Sequence, residues 1–325
     1  MATRAIRIHR TGGPEVLSWE EVELPLPGQG QVLLRQSAVG LNFIDVYHRN
    51  GLYPVQLPSG IGMEAAGTVE AVGEGVTGIE PGDRVAYASG PLGAYAEARL
   101  MPADRLVKLP PEVTDRQAAA MMLQGLTAQY LLRRTYAVQP ADRVLIHAAA
   151  GGVGLILVQW AKYLGATVIG TVGSDAKAKT AADHGCDHVI RYDKEDFPRR
   201  VRELTGGDGV RVVYDGVGKD TFMGSLDCLS PLGMMVSFGN ASGPVAPLDL
   251  LLLSQKGSLF VTRPTLATYT AERKDLVAAA AELFHVVTTG AVKVAINQTF
   301  PLSEAAEAHR ALESRATTGS TVLLP

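Results

Sequence analysis

The sequence predicts an α/β protein in two parts, one β-rich and one in which strands and helices alternate around a parallel sheet. Three observations carry this. Before residue 125, short strand-like segments are punctuated by Gly and Pro turns. After it, strand and helix patterns follow one another at the spacing of βαβ units. One of those strand-to-helix turns, residues 147–154, is rich in Ala and Gly.

The 325 residues suffice for two domains with substantial cores, and 46% hydrophobic with 19% charged residues is an ordinary globular composition. Thirty basic against 33 acidic residues leave a net charge of −3, with no basic run. A surface built to neutralise nucleic-acid phosphates normally needs a basic excess, so no nucleic-acid partner is expected. Two cysteines, Cys186 and Cys228, are too few for a disulfide framework and suit a reducing compartment. The first residues lack the apolar core of a signal peptide, and no run of about 18 apolar residues occurs. The expectation is a cytoplasmic protein without a membrane partner.

In the first part, residues 5–8, 31–39, 67–72 and 84–87 read as strands, separated by turns such as Gly12-Gly13-Pro14 and Pro81-Gly82-Asp83. They suggest a barrel-like or sandwich unit. Thr114 is placed to cap a first helix over 114–123. In the second part, strands are expected at 143–147, 167–171, 188–191, 210–215, 233–238 and 258–261. Between them lie helices over 154–164, stopped by Gly165, over 176–184, ending at 201–205, and over 222–229. The tail holds a helix over 271–289, another opened by Ser303, and a strand at 320–324. That last strand could rejoin the first part and make it discontinuous.

The turn after residue 146 carries the strongest chemical signal. A strand, a tight turn and a helix start set backbone N–H groups and the positive helix end beside a pyrophosphate. Gly151 permits close approach of the backbone, Gly154 lets helix and strand pack, and Ala149 stands where the first glycine of the usual motif would be. The second strand then decides the cofactor. An acidic residue at its end would bind a ribose 2′-hydroxyl and repel a 2′-phosphate. Here the strand ends on Thr171 and Val172, followed by Gly173, Ser174 and, after Asp175, Lys177. Amides, a hydroxyl and a cation suit a phosphate, although Ser174 is equally placed to cap the next helix.

Taken together, several segments resemble the bacterial NADPH:quinone oxidoreductases, relatives of zeta-crystallin in the medium-chain dehydrogenase/reductase superfamily. They include Gly12-Gly13-Pro14-Glu15-Val16-Leu17, Gly40-Leu41-Asn42-Phe43-Ile44-Asp45, Gly51-Leu52-Tyr53-Pro54 and Gly82-Asp83-Arg84-Val85. Others are Gly125-Leu126-Thr127-Ala128, residues 147–154, Val213-Tyr214-Asp215, residues 238–243 and Thr262-Arg263-Pro264-Thr265. The resemblance spans the whole chain. It implies a GroES-like catalytic domain, residues 1–124 and 265–325, and a Rossmann-type NADPH-binding domain, residues 125–264. It also implies a homodimer and a small quinone or other electrophilic acceptor as substrate.

Carried over by motif, Asn42, Thr127 and Tyr130 lie toward the nicotinamide, and Gly152 and Val153 at the pyrophosphate. Gly173, Ser174, Lys177 and Tyr192 surround the 2′-phosphate end, and Val217, Phe238, Gly239, Asn240, Ser242, Arg263 and Arg315 complete the cofactor residues. Asn42 and Tyr53 are the candidates for orienting the acceptor, with packing an equal alternative for Tyr53 and for its neighbour Tyr47.

Zinc-dependent members of the superfamily carry a Cys within the segment occupied here by residues 42–45, and a His before the Glu of Gly62-Met63-Glu64. Asn42 and Met63 do not supply a zinc site, and no cysteine-rich lobe follows. No metal is expected. The cluster His184-Gly185-Cys186-Asp187-His188 reads as a turn entering a strand, His147 as a packed residue, and no Gly-x-Ser-x-Gly elbow is present. Two other functions compete: reduction of an activated carbon–carbon double bond, and a cofactor-retaining protein that binds RNA or another protein.

Overall fold

The structure is a computed structural model and describes residues 1–325. The chain forms two compact units. The first comprises Met1–Leu126, Tyr269–Thr288 and Val294–Pro325; the second comprises Thr127–Thr268 and Thr289–Lys293.

The first unit opens with β1 (Ala2–Ile8), β2 (Ser18–Glu23) and β3 (Gln31–Leu41), followed by helix α1 (Phe43–Asn50). Strands β4 (Ser59–Gly60), β5 (Glu64–Val72), β6 (Arg84–Ala88), β7 (Ala98–Pro102) and β8 (Val107–Lys108) come next. β2-β1-β4 form a small sheet, while β3, β5, β6 and β8 belong to a larger one in which β7 also pairs with β3. Alternation sends Ile6, Ile8, Val32, Leu34, Val69, Val85 and Tyr87 into one buried cluster, joined by Tyr95 from the segment before β7. The expected helix over 114–123 is two helices. Thr114 does cap α2 (Asp115–Ala119), its hydroxyl accepting from Gln117 N at 3.2 Å, but the helix breaks before α3 (Met122–Tyr130). A π-type turn, Leu131–Thr135, follows α3.

The second unit contains β9 (Arg143–Ile146), α4 (Gly152–Tyr163), β10 (Thr167–Val172), α5 (Asp175–Asp183), β11 (His188–Arg191) and α6 (Phe197–Leu204). It continues through β12 (Val210–Asp215), α7 (Phe222–Cys228), β13 (Leu229–Ser237), α8 (Leu251–Gln255), β14 (Phe260–Thr262) and α9 (Leu266–Tyr269). Six parallel strands stand in the order β11-β10-β9-β12-β13-β14. This is the doubly wound Rossmann order, and its direction reverses between β9 and β12. Leu145, Ile169, Ile190, Val213 and Met235, one from each of five neighbouring strands, share a core cluster with Phe222 and Leu226 of α7.

The tail returns to the first unit. After α10 (Arg273–Thr288) come β15 (Ile296–Pro301), a 3₁₀ turn at Leu302–Glu304, α11 (Ala305–Glu313) and β16 (Ser320–Leu324). The helix expected from Ser303 thus begins two residues later. β16 lies antiparallel to β3, with Thr321 opposite Leu41, so the larger sheet is completed by the tail. No helix is long and apolar enough to cross a membrane.

Candidate active site

In the second unit, the carboxyl ends of β9 and β12 flank the point where strand order reverses, which is where open α/β sheets bind ligands. β9 ends in the turn at residues 147–151, and α4 begins at Gly152 with Gly151 as its N-cap. The first amides of a helix have no partner within it, so Gly152 and Val153 present donors to an anion. Gly154 is sterically required. A Cβ there would overlap the Ala148 carbonyl oxygen and sit 2.9 Å from Ala149 Cα.

A second turn assembles at the end of β10. A Cβ on Gly173 would overlap the Tyr192 hydroxyl and lie 2.9 Å from Cζ, so the two residues pack directly on each other. Ser174 caps α5, its hydroxyl accepting from Lys177 N at 3.3 Å. The capping alternative is therefore realised, and the hydroxyl keeps a proton to donate. Sequence reasoning missed Arg191, which pairs with both Asp175 and Asp193, while Lys194 also reaches Asp175. The hydrogen bond from Arg191 holds the Asp175 carboxyl below its usual range. The one carboxylate among residues 171–177 is thus neutralised by a cation from the next strand.

Across the reversal point, Asp215 at the end of β12 is buried and accepts from Val217 N at 2.7 Å, Gly218 N at 3.0 Å and Thr221 Oγ1 at 2.8 Å. Sequence reasoning gave Asp215 no role, although an acidic residue followed by Gly at a strand end is a turn-building signal. Val217 O in turn accepts from Ser242 N at 2.8 Å and from Ser242 Oγ at 2.9 Å. Both backbone groups of Val217 are engaged, which fixes the turn after β12. Arg263 Nη1 donates to Ser237 O at 2.9 Å and Gly239 O at 3.1 Å, and Asn240 Oδ1 accepts from Nη2 at 3.1 Å. Arg263 therefore fastens the strand end that carries Phe238, Gly239 and Asn240. Thr127 and Tyr130 of α3 are buried.

His147 is buried between Thr171 Oγ1 and Ser225 Oγ, both at 2.8 Å, with its ring edge-on to Phe197. Burial lowers its pKa, in keeping with a packed neutral imidazole. In the trio near residue 186, His184 Nδ1 lies against Thr180 O, Cys186 is buried with its thiol pushed up to about 12, and His188 is exposed. No three His, Cys, Asp or Glu side chains converge on a possible metal position.

In the first unit, Asn42 precedes α1 and is buried. Its Nδ2 donates to Glu64 Oε2 at 2.7 Å, and its Oδ1 accepts from Gln124 Nε2 at 3.2 Å. Burial pushes the Glu64 carboxyl up to about 8 and that of Asp45 up to about 7. Asp45 Oδ2 accepts from Asn42 N and Tyr95 Oη, both at 2.9 Å. Tyr53 packs its ring edge against Tyr47, 5.2 Å between centroids, and against His48 at 5.8 Å. Arg315 follows α11 at φ 60°. The structure thus gathers Gly152 and Val153 at one turn, Gly173, Ser174, Lys177 and Tyr192 at the next, and Val217 with residues 238–242 at a third.

Known proteins agree with this architecture. Residues 28–111 match the alcohol dehydrogenase GroES-like domain, and residues 152–296 match the zinc-binding dehydrogenase family. The chain is 55% identical to a quinone oxidoreductase of Pseudomonas aeruginosa, with all of both chains covered. The chain belongs to the quinone oxidoreductase family of medium-chain dehydrogenases/reductases. Its fold matches that of Escherichia coli quinone oxidoreductase solved with NADPH, with a TM-score of 0.97 at 51% identity over 99% of this chain and 100% of that one. Within the same family range lies a 2-haloacrylate reductase of a Burkholderia species, 50% identical over 98% of both chains. The first unit thus carries the GroES-like fold and the second the Rossmann-type fold.

Proposed function

We propose that this chain is an NADPH-dependent oxidoreductase that reduces quinones without zinc. The observation that carries the reading is the adenosine end of the second unit, set against full-length identity to quinone oxidoreductases. β10 ends without a free carboxylate, Asp175 is paired with Arg191, and Ser174, Lys177 and Tyr192 stand at the same turn. Those residues would hold the 2′-phosphate, the amides of Gly152 and Val153 the pyrophosphate, and Asn42, Thr127 and Tyr130 the nicotinamide end. Val217, Phe238, Gly239, Asn240, Ser242, Arg263 and Arg315 complete the cofactor residues. NADPH, when bound, supplies a hydride equivalent.

What the chain's own residues contribute is alignment. Asn42, held on two sides by hydrogen bonds, and Tyr53, whose ring packs on Tyr47 and His48, would orient the acceptor. The identities of Asn42 and Met63 support activity without zinc, despite the zinc-binding description of one matched family. Cytoplasmic location is supported by the cysteine usage. A homodimer is supported by β14, an edge strand on which Phe260 is 55% exposed.

The 2-haloacrylate reductase relative favours a second reading, reduction of an activated carbon–carbon double bond by the same cofactor. Steady-state assays with small quinones beside enones and haloacrylates separate the two. Quinone turnover with NADPH, retained after dialysis against a strong chelator, is the expected result. Enone turnover with no quinone turnover would establish the second reading instead.

A further inference from the structure

A chain of four buried side chains runs through the first unit and ends on two fixed backbone groups. At one end, Glu64 Oε1 accepts from Leu123 N, in the first turn of α3, at 2.7 Å. Glu64 Oε2 then meets Asn42 Nδ2, Asn42 Oδ1 meets Gln124 Nε2, and Gln124 Oε1 accepts from Ser320 Oγ at 2.6 Å. At the far end, Ser320 Oγ also lies 2.8 Å from Ala120 O. Glu64, Asn42, Gln124 and Ser320 are all buried, so none can exchange a lost partner for water.

Each amide has one oxygen and one nitrogen end, so the direction of each link dictates the next. The far end imposes no direction, because a serine hydroxyl donates equally well to Gln124 Oε1 or to Ala120 O. The near end does. An ionised Glu64 only accepts, which turns Asn42 Nδ2 toward it and gives the arrangement in the structure. With a donor at that oxygen position, every link reverses: Asn42 Oδ1 faces residue 64, Asn42 Nδ2 faces Gln124 Oε1, Gln124 Nε2 faces Ser320, and Ser320 donates to Ala120 O. Both arrangements satisfy every group in the chain.

We propose that Glu64 is a positioning residue, whose carboxylate sets which end of the Asn42 amide faces each way and thereby orients the group that Asn42 offers to cofactor or acceptor. This rests on the reading of Asn42 given above. The titratable groups facing Glu64 are Asp45 in α1's first turn, Tyr87 on β6 and Tyr95; α2 and α3 present only backbone and Gln124. Burial places the Glu64 transition near pH 8, so the acid form would carry the reversed arrangement below it.

Glu64→Gln imposes the reversed arrangement at every pH, because Gln Oε1 must serve Leu123 N and its Nε2 then faces Asn42. The variant should stay folded, with a melting temperature no more than about 3 °C below wild type at pH 5. At pH 9 its kcat/KM should fall at least about tenfold, and the gap should narrow toward pH 6. Wild-type activity at pH 9, or a loss that is equal at all pH and tracks a lower melting temperature, would overturn the proposal. Asn42→Ala, assayed in parallel, separates the two readings. If it too retains full activity, the role of Asn42 itself is lost; if it alone loses activity, only the role of Glu64 is. Neutron diffraction from wild-type crystals at pH 9 gives a readout independent of any variant. Deuterons on the Asn42 atom facing Glu64 are expected, and a bare oxygen there would overturn the proposal.

Discussion

The two units build polar structure in opposite ways. In the second unit the turns at the strand ends are made of backbone: amides of Gly152 and Val153 at a helix start, and Val217 and Gly218 amides gathered on the Asp215 carboxylate. In the first unit, side chains hold side chains. Beside the chain through Glu64, a second one runs from Arg49 Nη1 to His309 Nδ1 at 2.9 Å, from His309 Nε2 to Tyr95 Oη at 3.1 Å, and on to Asp45. Burial, and then Arg49, lower the His309 pKa to about 3, so the ring is neutral and its tautomer follows from its neighbours. Arg49 also makes a two-pronged pair with Glu313, at 2.9 and 2.8 Å. Backbone turns tolerate side-chain change but not added bulk; side-chain chains tolerate bulk at their edges but not a changed donor.

The contrast can be broken most severely at Gly154. Gly154→Val forces a side chain into the Ala148 carbonyl and should cost about 3 kcal/mol or more, seen as loss of the folded second unit in denaturant titration. A folded variant of normal stability would mean the turn yields more easily than its contacts indicate.

In the first unit the matching change is Arg49→Met, which keeps bulk and removes the donors. It strands His309 Nδ1 and Glu313, and should cost about 3 kcal/mol in unfolding free energy. Because the Glu313 side chain is one-third exposed, water recovers part of its loss, which keeps the figure at the low end.

A gentler probe is pH. Glu64 and Asp45 have folded-state pKa values above their ordinary ones, so the folded protein binds more protons than the unfolded chain between about pH 4 and 8. The stability these two groups contribute is complete below their unfolded values and is lost as pH rises through 7 and 8. Glu64→Gln removes one of them, and should therefore gain on wild type by at most about 1.4 kcal/mol per pH unit from pH 5 to 8. A stability difference that stays constant over that range would contradict the burial argument.

The smallest effect sharpens the comparison at the second unit's surface. Lys177→Ala should weaken NADPH about tenfold while leaving NADH nearly unchanged, since a charge-assisted hydrogen bond is worth roughly 1.5–3 kcal/mol. Equal losses for both cofactors, measured by titration, would show that Lys177 serves the helix and not the phosphate.

The same division explains what could be read from the residues alone. The strand and helix alternation of the second unit, and its glycine turn, were legible because each is local: a strand, a turn and a helix within some twenty residues. The break at Ala120 and Met121 was not, because Thr114 offers a good cap and nothing nearby announces that the carboxylate of Glu64 will take the amide of Leu123. Nor was α1, whose eight residues are amphipathic and capped by Asn42 but too few to stand out among the strands around them. Arg191 escaped for a related reason. Its partner Asp175 is 16 residues away, and only the parallel pairing of β10 and β11 brings them together. Asn42 was legible as a motif residue, but its partners Glu64, Gln124 and, through the latter, Ser320 lie on separate elements.

The pairing of β16 with β3 sets an order of assembly. The six parallel strands of the second unit are complete in the chain by Thr262 and can zip together while later residues are still being synthesised. The larger sheet of the first unit has no such liberty: its strand β3, made early, must wait with one edge bare until residues 320–324 emerge and slide between it and β15. A newborn chain therefore finishes its middle before its beginning, and the early strands are the segment that a ribosome-associated chaperone would need to shield longest.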